Sequence, residues 1–223
     1  MKTEFFITGT DTGVGKTWAT VALMRYLKAK GQSVIGMKPV AAGCEWVEGQ
    51  LKNEDALLLQ QNASIDLKYE EVNPYAFEKP ISPHLAADKN TVKIDRIIQR
   101  FEDLKNKADV IIVEGAGGWL APLSSEIDIA DLAKKLSIPV IMVVAIRLGC
   151  INHARLTFQS IQLAGVDCAG WLAVCVDPVM QQQAENIKTI KDKVSAPLLG
   201  VFPYMDKMDF DALAENIIQG KLI

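Results

Sequence analysis

Histidine is nearly absent from this 223-residue chain, cysteine is sparse, and neither forms a cluster. His84 and His153 are the only two histidines, and the four cysteines contain no Cys-x-x-Cys pair, which argues against a zinc site. Cys44, Cys150, Cys168 and Cys175 read instead as free, buried thiols of a reducing cytoplasm. Basic excess is lacking too. A net charge of −3 and a pI near 5.5 leave no electrostatic footprint for nucleic acid. The longest apolar run, Val140 to Ile146, is far too short to span a bilayer, so no membrane partner is expected. No signal peptide is read ahead of the first strand, and no repeat, low-complexity tract or flexible linker interrupts the sequence. The expectation is a single cytoplasmic domain over 1–223.

What is present is ordinary in amount and informative in order. Hydrophobic residues make up 49% and charged residues 23%, enough for a large core. Near-continuous apolar runs at Glu4–Thr8, Ser33–Met37, Val110–Glu114, Val140–Ile146, Gly170–Val176 and Leu198–Phe202 read as strands buried on both faces. Between them lie helical periods at Lys16–Lys30, Asp55–Gln61, Ile94–Lys105, Ile129–Leu136, His153–Ala164, Gln182–Val194 and Phe210–Ile218. This alternation predicts an α/β fold, a mainly parallel sheet with helices on both faces and right-handed crossovers. Ligands bind such sheets at the carboxyl ends of the strands, so the residues just after each strand deserve the closest reading.

The first strand runs into Gly9-Thr10-Asp11-Thr12-Gly13-Val14-Gly15-Lys16-Thr17, which opens a helix. Glycines let backbone N–H groups face phosphate oxygens, the helix start adds positive charge, Lys16 reaches the outer phosphates, and the Thr17 hydroxyl suits Mg²⁺. This predicts a P-loop NTPase-like fold, although Thr10 stands where the usual first glycine falls. Glu114 ends a buried strand opposite that loop, the arrangement that holds Mg²⁺ in such proteins. Lys38 follows the second strand and is fixed in extended backbone by Pro39; it reads as a surface lysine or as a group over the loop. Asp55 opens a helix, where it serves the helix dipole or faces the metal. The segment Asn73–His84 reads as a stiff, irregular crossover, either an ordinary connection or a pocket wall. The helix start at Gly149-Cys150-Ile151-Asn152 offers N–H groups that suit a carboxylate, as any helix start does.

Taken in order, Thr8–Thr17, Lys38-Pro39-Val40-Ala41, Glu114–Trp119 and Leu148–His153 resemble the dethiobiotin synthetase family, over about Phe5 to Pro203. The resemblance implies an ATP-dependent ligase of biotin biosynthesis. Such a ligase joins CO2 to the adjacent amines of 7,8-diaminononanoate (diaminopelargonate) through a carbamate and a carbamic-phosphoric anhydride, then closes a cyclic urea. It implies catalytic roles for Lys38, Lys16 and Thr12, and ATP contacts from Gly13, Val14, Gly15, Lys16, Thr17, Trp18, Asp55, Glu114, Gly115, Ala116, Gly117, Pro203, Tyr204 and Met205. Mg²⁺ would sit on Thr17, Asp55 and Glu114. Substrate would meet Thr12, Lys38, Ala42 and Gly118, with its tail carboxylate on Gly149, Cys150, Ile151 and Asn152 of the neighbouring subunit of a homodimer. The chain departs from the pattern at Ala42, where serine is common, at Asn186, near a common tyrosine, and at Val174-Cys175, where asparagine commonly reads adenine. Two P-loop rivals fit less well. A cobyrinate-type amidase needs a glutaminase, and a ParA/MinD-like switch carries an extra lysine where Thr10-Asp11-Thr12 stands.

Overall fold

The computed structural model describes residues 3–87 and 92–220; the ends of the single-domain reading, 1–2 and 221–223, lie outside them. In chain order the elements begin β1 (Thr3–Gly9), α1 (Lys16–Ala29), β2 (Val34–Met37), β3 (Val40–Ala42), β4 (Glu45–Val47), β5 (Gln50–Lys52) and α2 (Glu54–Asn62). The middle comprises α3 (Tyr69–Val72), β6 (Tyr75–Phe77), α4 (Pro83–Ala86), α5 (Ile94–Lys105), β7 (Val110–Glu114) and α6 (Ile129–Leu136). The chain continues through β8 (Val140–Ala145), α7 (Cys150–Leu163), β9 (Cys168–Val174), α8 (Gln183–Lys193), β10 (Leu198–Phe202) and α9 (Phe210–Glu215). No helix among the described residues is long and apolar enough to cross a membrane.

Six strands form one sheet in the order β10-β9-β8-β1-β7-β2, with every pairing parallel. Their sequences lack polar alternation because helices cover both faces; β2, β7 and β8 are buried at every position. The chain steps from β1 past β7 to β2, returns to β7, and then crosses β1 to reach β8. The order therefore reverses around β1, and the crevice beyond its carboxyl end is the natural ligand site.

Both edges of the sheet are closed by loops. Beside β2, Val34 exchanges hydrogen bonds with Ser64, and the Lys38 N–H reaches the Val72 carbonyl. Beside β10, the segment after α9 turns back, with Ile217 bridging Gly200 and the Ile218 N–H donating to Leu199. A side chain on Gly200 would place its Cβ 2.7 Å from the Asn216 carbonyl oxygen, so glycine is what admits this segment.

Several short elements go beyond the sequence reading. The stretch read as an irregular crossover, Asn73–His84, follows α3 directly and contains β6 and the start of α4, and β6 pairs in parallel with β3. Three-residue strands carry no readable period, which is why they escaped. β4 and β5 form an exposed hairpin whose Glu48 (φ 52) and Gly49 (φ 78) make a two-residue turn of the type that matches strand twist. α7 begins at Cys150 rather than His153, because left-handed Gly149 (φ 92) lets the helix start immediately after it. β9 likewise starts and ends two residues earlier than read, at Cys168–Val174.

Candidate active site

β1 lies between β7 and β8, with Ile7 in register with Glu114, so the loop after Gly9 emerges directly over the end of β7. The loop is held from several sides. The Thr10 N–H donates to Val143 at 3.0 Å, and Asp11 Oδ1 accepts the Thr12 N–H at 2.7 Å. Gly13 (φ 69) and Gly15 (φ 87) take left-handed backbone. Gly15 also sits against the end of β9, where a Cβ would fall 2.9 Å from Val174 Cγ1. Lys16 folds back to donate to the Asp11 carbonyl at 3.0 Å, curling its ammonium over the loop.

Three elements deliver charge to one point. Lys38, at the end of β2, donates to Glu114 Oε1 at 2.5 Å and to Asp55 Oδ2 at 2.9 Å. Thr17 donates to the same Glu114 oxygen at 2.9 Å. Asn53 caps α2 by accepting the Asp55 N–H at 3.1 Å, which fixes the helix turn carrying that carboxylate. Glu114 is fully buried, and its Oε2 has no partner among the described residues. Burial alone would lower the Lys38 pKa, but the charges of Glu114 and Asp55 outweigh it and raise it well above the ordinary lysine value. Burial would raise Asp55, but the Lys38 charge and hydrogen bond, helped by Thr17, carry it below the usual carboxylate range. Lys16, with burial and the nearby Lys38 charge both acting against its charged form, comes down to about 8.

These groups floor a cavity of about 640 Å³. Of the residues expected at the site, Thr12, Gly13, Gly15, Lys16, Thr17, Trp18, Lys38, Ala42, Asp55, Glu114, Ala116 and Gly117 line it. Sequence reasoning gave no site role to Ala41, Asn53 and Ala121, which stand in its wall; Pro80, Ile81, Ser82 and Pro83 come from the proline-rich crossover, which does wall this pocket. Other expected residues lie outside it. Val14 is buried against Gly9, Gly115 packs on Phe6 and Ile129, and Gly118 sits against the backbone of Gly9 and Asp11. Pro203, Tyr204 and Met205 follow β10, whose Phe202 carbonyl accepts the Cys175 N–H at 2.9 Å. Val174 and Cys175 are themselves buried, so this strand end supports the loop with apolar surface.

The start of α7, Gly149-Cys150-Ile151-Asn152, also stands outside the cavity. Its link to the loop is Arg147, whose Nη2 donates to Asp11 Oδ2 at 2.7 Å while its carbonyl accepts the Cys150 N–H. Neither Asp11 nor Arg147 carries a local sequence signal for this pairing. Asn186 reaches the same helix start, accepting from Cys150 Sγ at 3.7 Å.

A parallel sheet reversing at its central strand, with a glycine-rich lysine-threonine loop over a buried strand-end glutamate, defines a P-loop NTPase. Solved structures agree on the fold. MinD cell division protein of Aquifex aeolicus aligns over 96% of this chain and 88% of its own, with TM-score 0.59 and 18% identity. The signal recognition particle receptor FtsY of Elizabethkingia anophelis in complex with GDP aligns over 99% and 61%, with TM-score 0.58 and 14% identity. Residues 3–212 match a family model described as an AAA domain. Sequence relatives are more specific. The chain is 46% identical over 215 residues, 96% of each chain, to the ATP-dependent dethiobiotin synthetase BioD of Aromatoleum aromaticum. It is 45% identical over the same share to that of Xanthomonas oryzae pv. oryzae. The chain belongs to the ATP-dependent dethiobiotin synthetase family.

Proposed function

We propose that this protein is an ATP-dependent ligase of biotin biosynthesis that forms dethiobiotin from 7,8-diaminononanoate and CO2. The observation that carries the reading is the convergence of Lys16, Thr17, Lys38, Asp55 and Glu114 on one cavity, in a chain so similar to named dethiobiotin synthetases. One amine takes up CO2 and loses a proton to become a carbamate. A carbamate oxygen attacks the γ-phosphorus of ATP, and ADP leaves. The second amine attacks the resulting anhydride at its carbonyl carbon, gives up a proton and expels phosphate, closing the five-membered urea.

Phosphoryl transfer asks chiefly for alignment and charge neutralisation, and the chain's groups suit both. Backbone N–H groups of the loop cradle the phosphates, Lys16 balances the outer ones, and Trp18 and Ala116 with Gly117 border the nucleotide. Lys38, held protonated, stabilises the carbamate and the charge passing to the phosphoryl group. Thr12 and Ala42 face the amines, and the prolines of the wall exclude water from the anhydride. The donor set also fits Mg²⁺: Thr17, Asp55 and Glu114 supply only oxygen, and Glu114 Oε2 is a buried acceptor without a partner among the described residues. When bound, the ion would draw charge from the phosphates as they rearrange. The four free thiols fit a reducing cytoplasm. The test is to supply MgATP, bicarbonate and the diamine and to quantify products by mass spectrometry. One dethiobiotin per ADP is expected; ADP without dethiobiotin would overturn the reading.

The assembly proposed is a homodimer in which the α7 start binds the substrate carboxylate of the neighbouring subunit. Its support is the outer face of α7, where Leu156 and Leu163 are exposed, with Leu148 exposed just ahead of the helix. Lys16→Ala and Ile151→Pro, which removes an N–H donor, should each be inactive alone. Mixed after subunit exchange, they are expected to recover roughly a quarter of wild-type turnover, because random pairing makes half the dimers mixed and each has one intact site. No recovery, with exchange verified by native mass spectrometry, would show self-contained sites.

A further inference from the structure

Behind the site runs a hydrogen-bond relay built from residues with no role so far. Tyr69 opens α3 at 5% exposure, and Asn73 follows its last turn at 3%. The Tyr69 hydroxyl accepts the Asn53 N–H at 2.7 Å and donates to Asn73 Oδ1 at 2.8 Å. Asn73 Nδ2 then donates to two carbonyls, Lys38 at 2.7 Å and Tyr75 at 3.1 Å. With its oxygen facing a donor and both amide hydrogens facing carbonyls, the Asn73 amide has one satisfied orientation. At the other end Asn53 caps α2 beside Asp55, and its Nδ2 reaches the Ala42 carbonyl at 3.4 Å. One relay thus touches the backbone of Lys38, the helix start that carries Asp55, and the Ala42 wall.

Chain connectivity does not provide that alignment. Lys38 and Asp55 are 17 residues apart, and the exposed β4–β5 hairpin lies between them. Their ion pair joins only the side-chain tips. Behind the tips, α2 packs on β2 where Leu59 lies against Gly36, and Tyr69 and Asn73 add the hydrogen bonds that tie the Lys38 carbonyl to the Asn53 N–H.

We propose that Tyr69 and Asn73 are positioning residues that set where Lys38 and Asp55 stand relative to one another. The proposal rests on the ligase reading of this cavity. Burial pushes the Tyr69 phenol up to about 12, so its O–H remains a donor throughout the working pH range. Loss of the relay lets α2 shift against β2 and loosens the oxygen set offered to a divalent cation, while the phosphate loop on β1 is untouched.

Tyr69→Phe keeps the packed ring and deletes only the hydroxyl. It is expected to lower kcat for dethiobiotin formation about 10-fold, as loss of an orienting partner does, with KM for ATP near the wild-type value. Mn²⁺ affinity, read by electron paramagnetic resonance with a non-hydrolysable ATP analogue, should weaken about 10-fold on the same scale. Asn73→Ala should do the same, and the double variant should be no worse than the weaker single, because the two act as one unit. If Asn73→Ala does not fold, Tyr69→Phe carries the test. A lower melting temperature with kcat and Mn²⁺ affinity unchanged, both measured well below the melt, would reduce the pair to a structural role and overturn the proposal. If the wild type forms no dethiobiotin, the ligase reading fails by itself. The Mn²⁺ comparison then decides the relay: weakening in Tyr69→Phe supports it, and equal affinity overturns it.

Discussion

Lys38→Ala is expected to lower dethiobiotin turnover at least ~10²-fold, the loss that follows removal of one charge-stabilising donor from a transition state. The substitution reaches further than chemistry. Glu114 is fully buried, and its Oε1 would keep only the Thr17 hydroxyl. Removing one partner of a buried ion pair costs about 3–5 kcal/mol, because the remaining charge has lost its compensation. Turnover should therefore be measured well below the variant's melting temperature, alongside urea unfolding. The double variant Lys38→Ala/Glu114→Gln separates the two effects, since an uncharged amide at 114 removes the orphaned carboxylate. Stability should largely return while turnover stays lost. Near-normal turnover in folded Lys38→Ala would remove this lysine from the mechanism.

The second large effect is expected at Gly15. Its φ of 87 is left-handed, a conformation costing a residue with Cβ roughly 1–2 kcal/mol. An alanine there would also set its Cβ 2.9 Å from Val174 Cγ1, on a strand that cannot move without disturbing the sheet. The loop must yield, and its N–H groups shift from the positions proposed to cradle the phosphates. Displacement on the scale of 1 Å at such a site costs about 10²-fold. Gly13 provides the control, because it shares the backbone sign (φ 69) but has nothing within 4 Å of a built Cβ. Dethiobiotin turnover should thus be at least ~10²-fold lower in Gly15→Ala and much less affected in Gly13→Ala. Equal losses would mean that strain alone, not the contact with β9, governs this loop.

Long elements were legible because they carry either a period or an unbroken apolar run. α5 and α6 begin and end where the periodicity places them, and β7 spans Val110–Glu114 as read. The phosphate loop was legible because its chemistry is local, a strand, glycines and a lysine-threonine pair within a few residues. Asp55 was only half legible. A carboxylate in a first helical turn has a sufficient local explanation, and nothing nearby announces the ammonium of Lys38. Tyr69 and Asn73 were invisible for a related reason. Their partners are largely backbone atoms brought near by folding, and backbone atoms look alike in every sequence. Ala41 and Ala121 carry no chemistry of their own, and only the cavity's shape singles them out.

Closed sheet edges govern how this protein meets other chains. An open edge strand invites an incoming strand, and repeated addition builds ladders without end. Here Ser64 and Val72 occupy the hydrogen-bonding positions beside β2, while Ile217 and Ile218 occupy those beside β10. Strand-by-strand polymerisation has no free template at these positions, even at the concentrations of a crowded cell. A second copy adding a strand to this sheet would first have to displace these segments, which leaves side-chain contacts as the readier route. Where such contacts are isologous, they close on themselves by rotation and then stop growing.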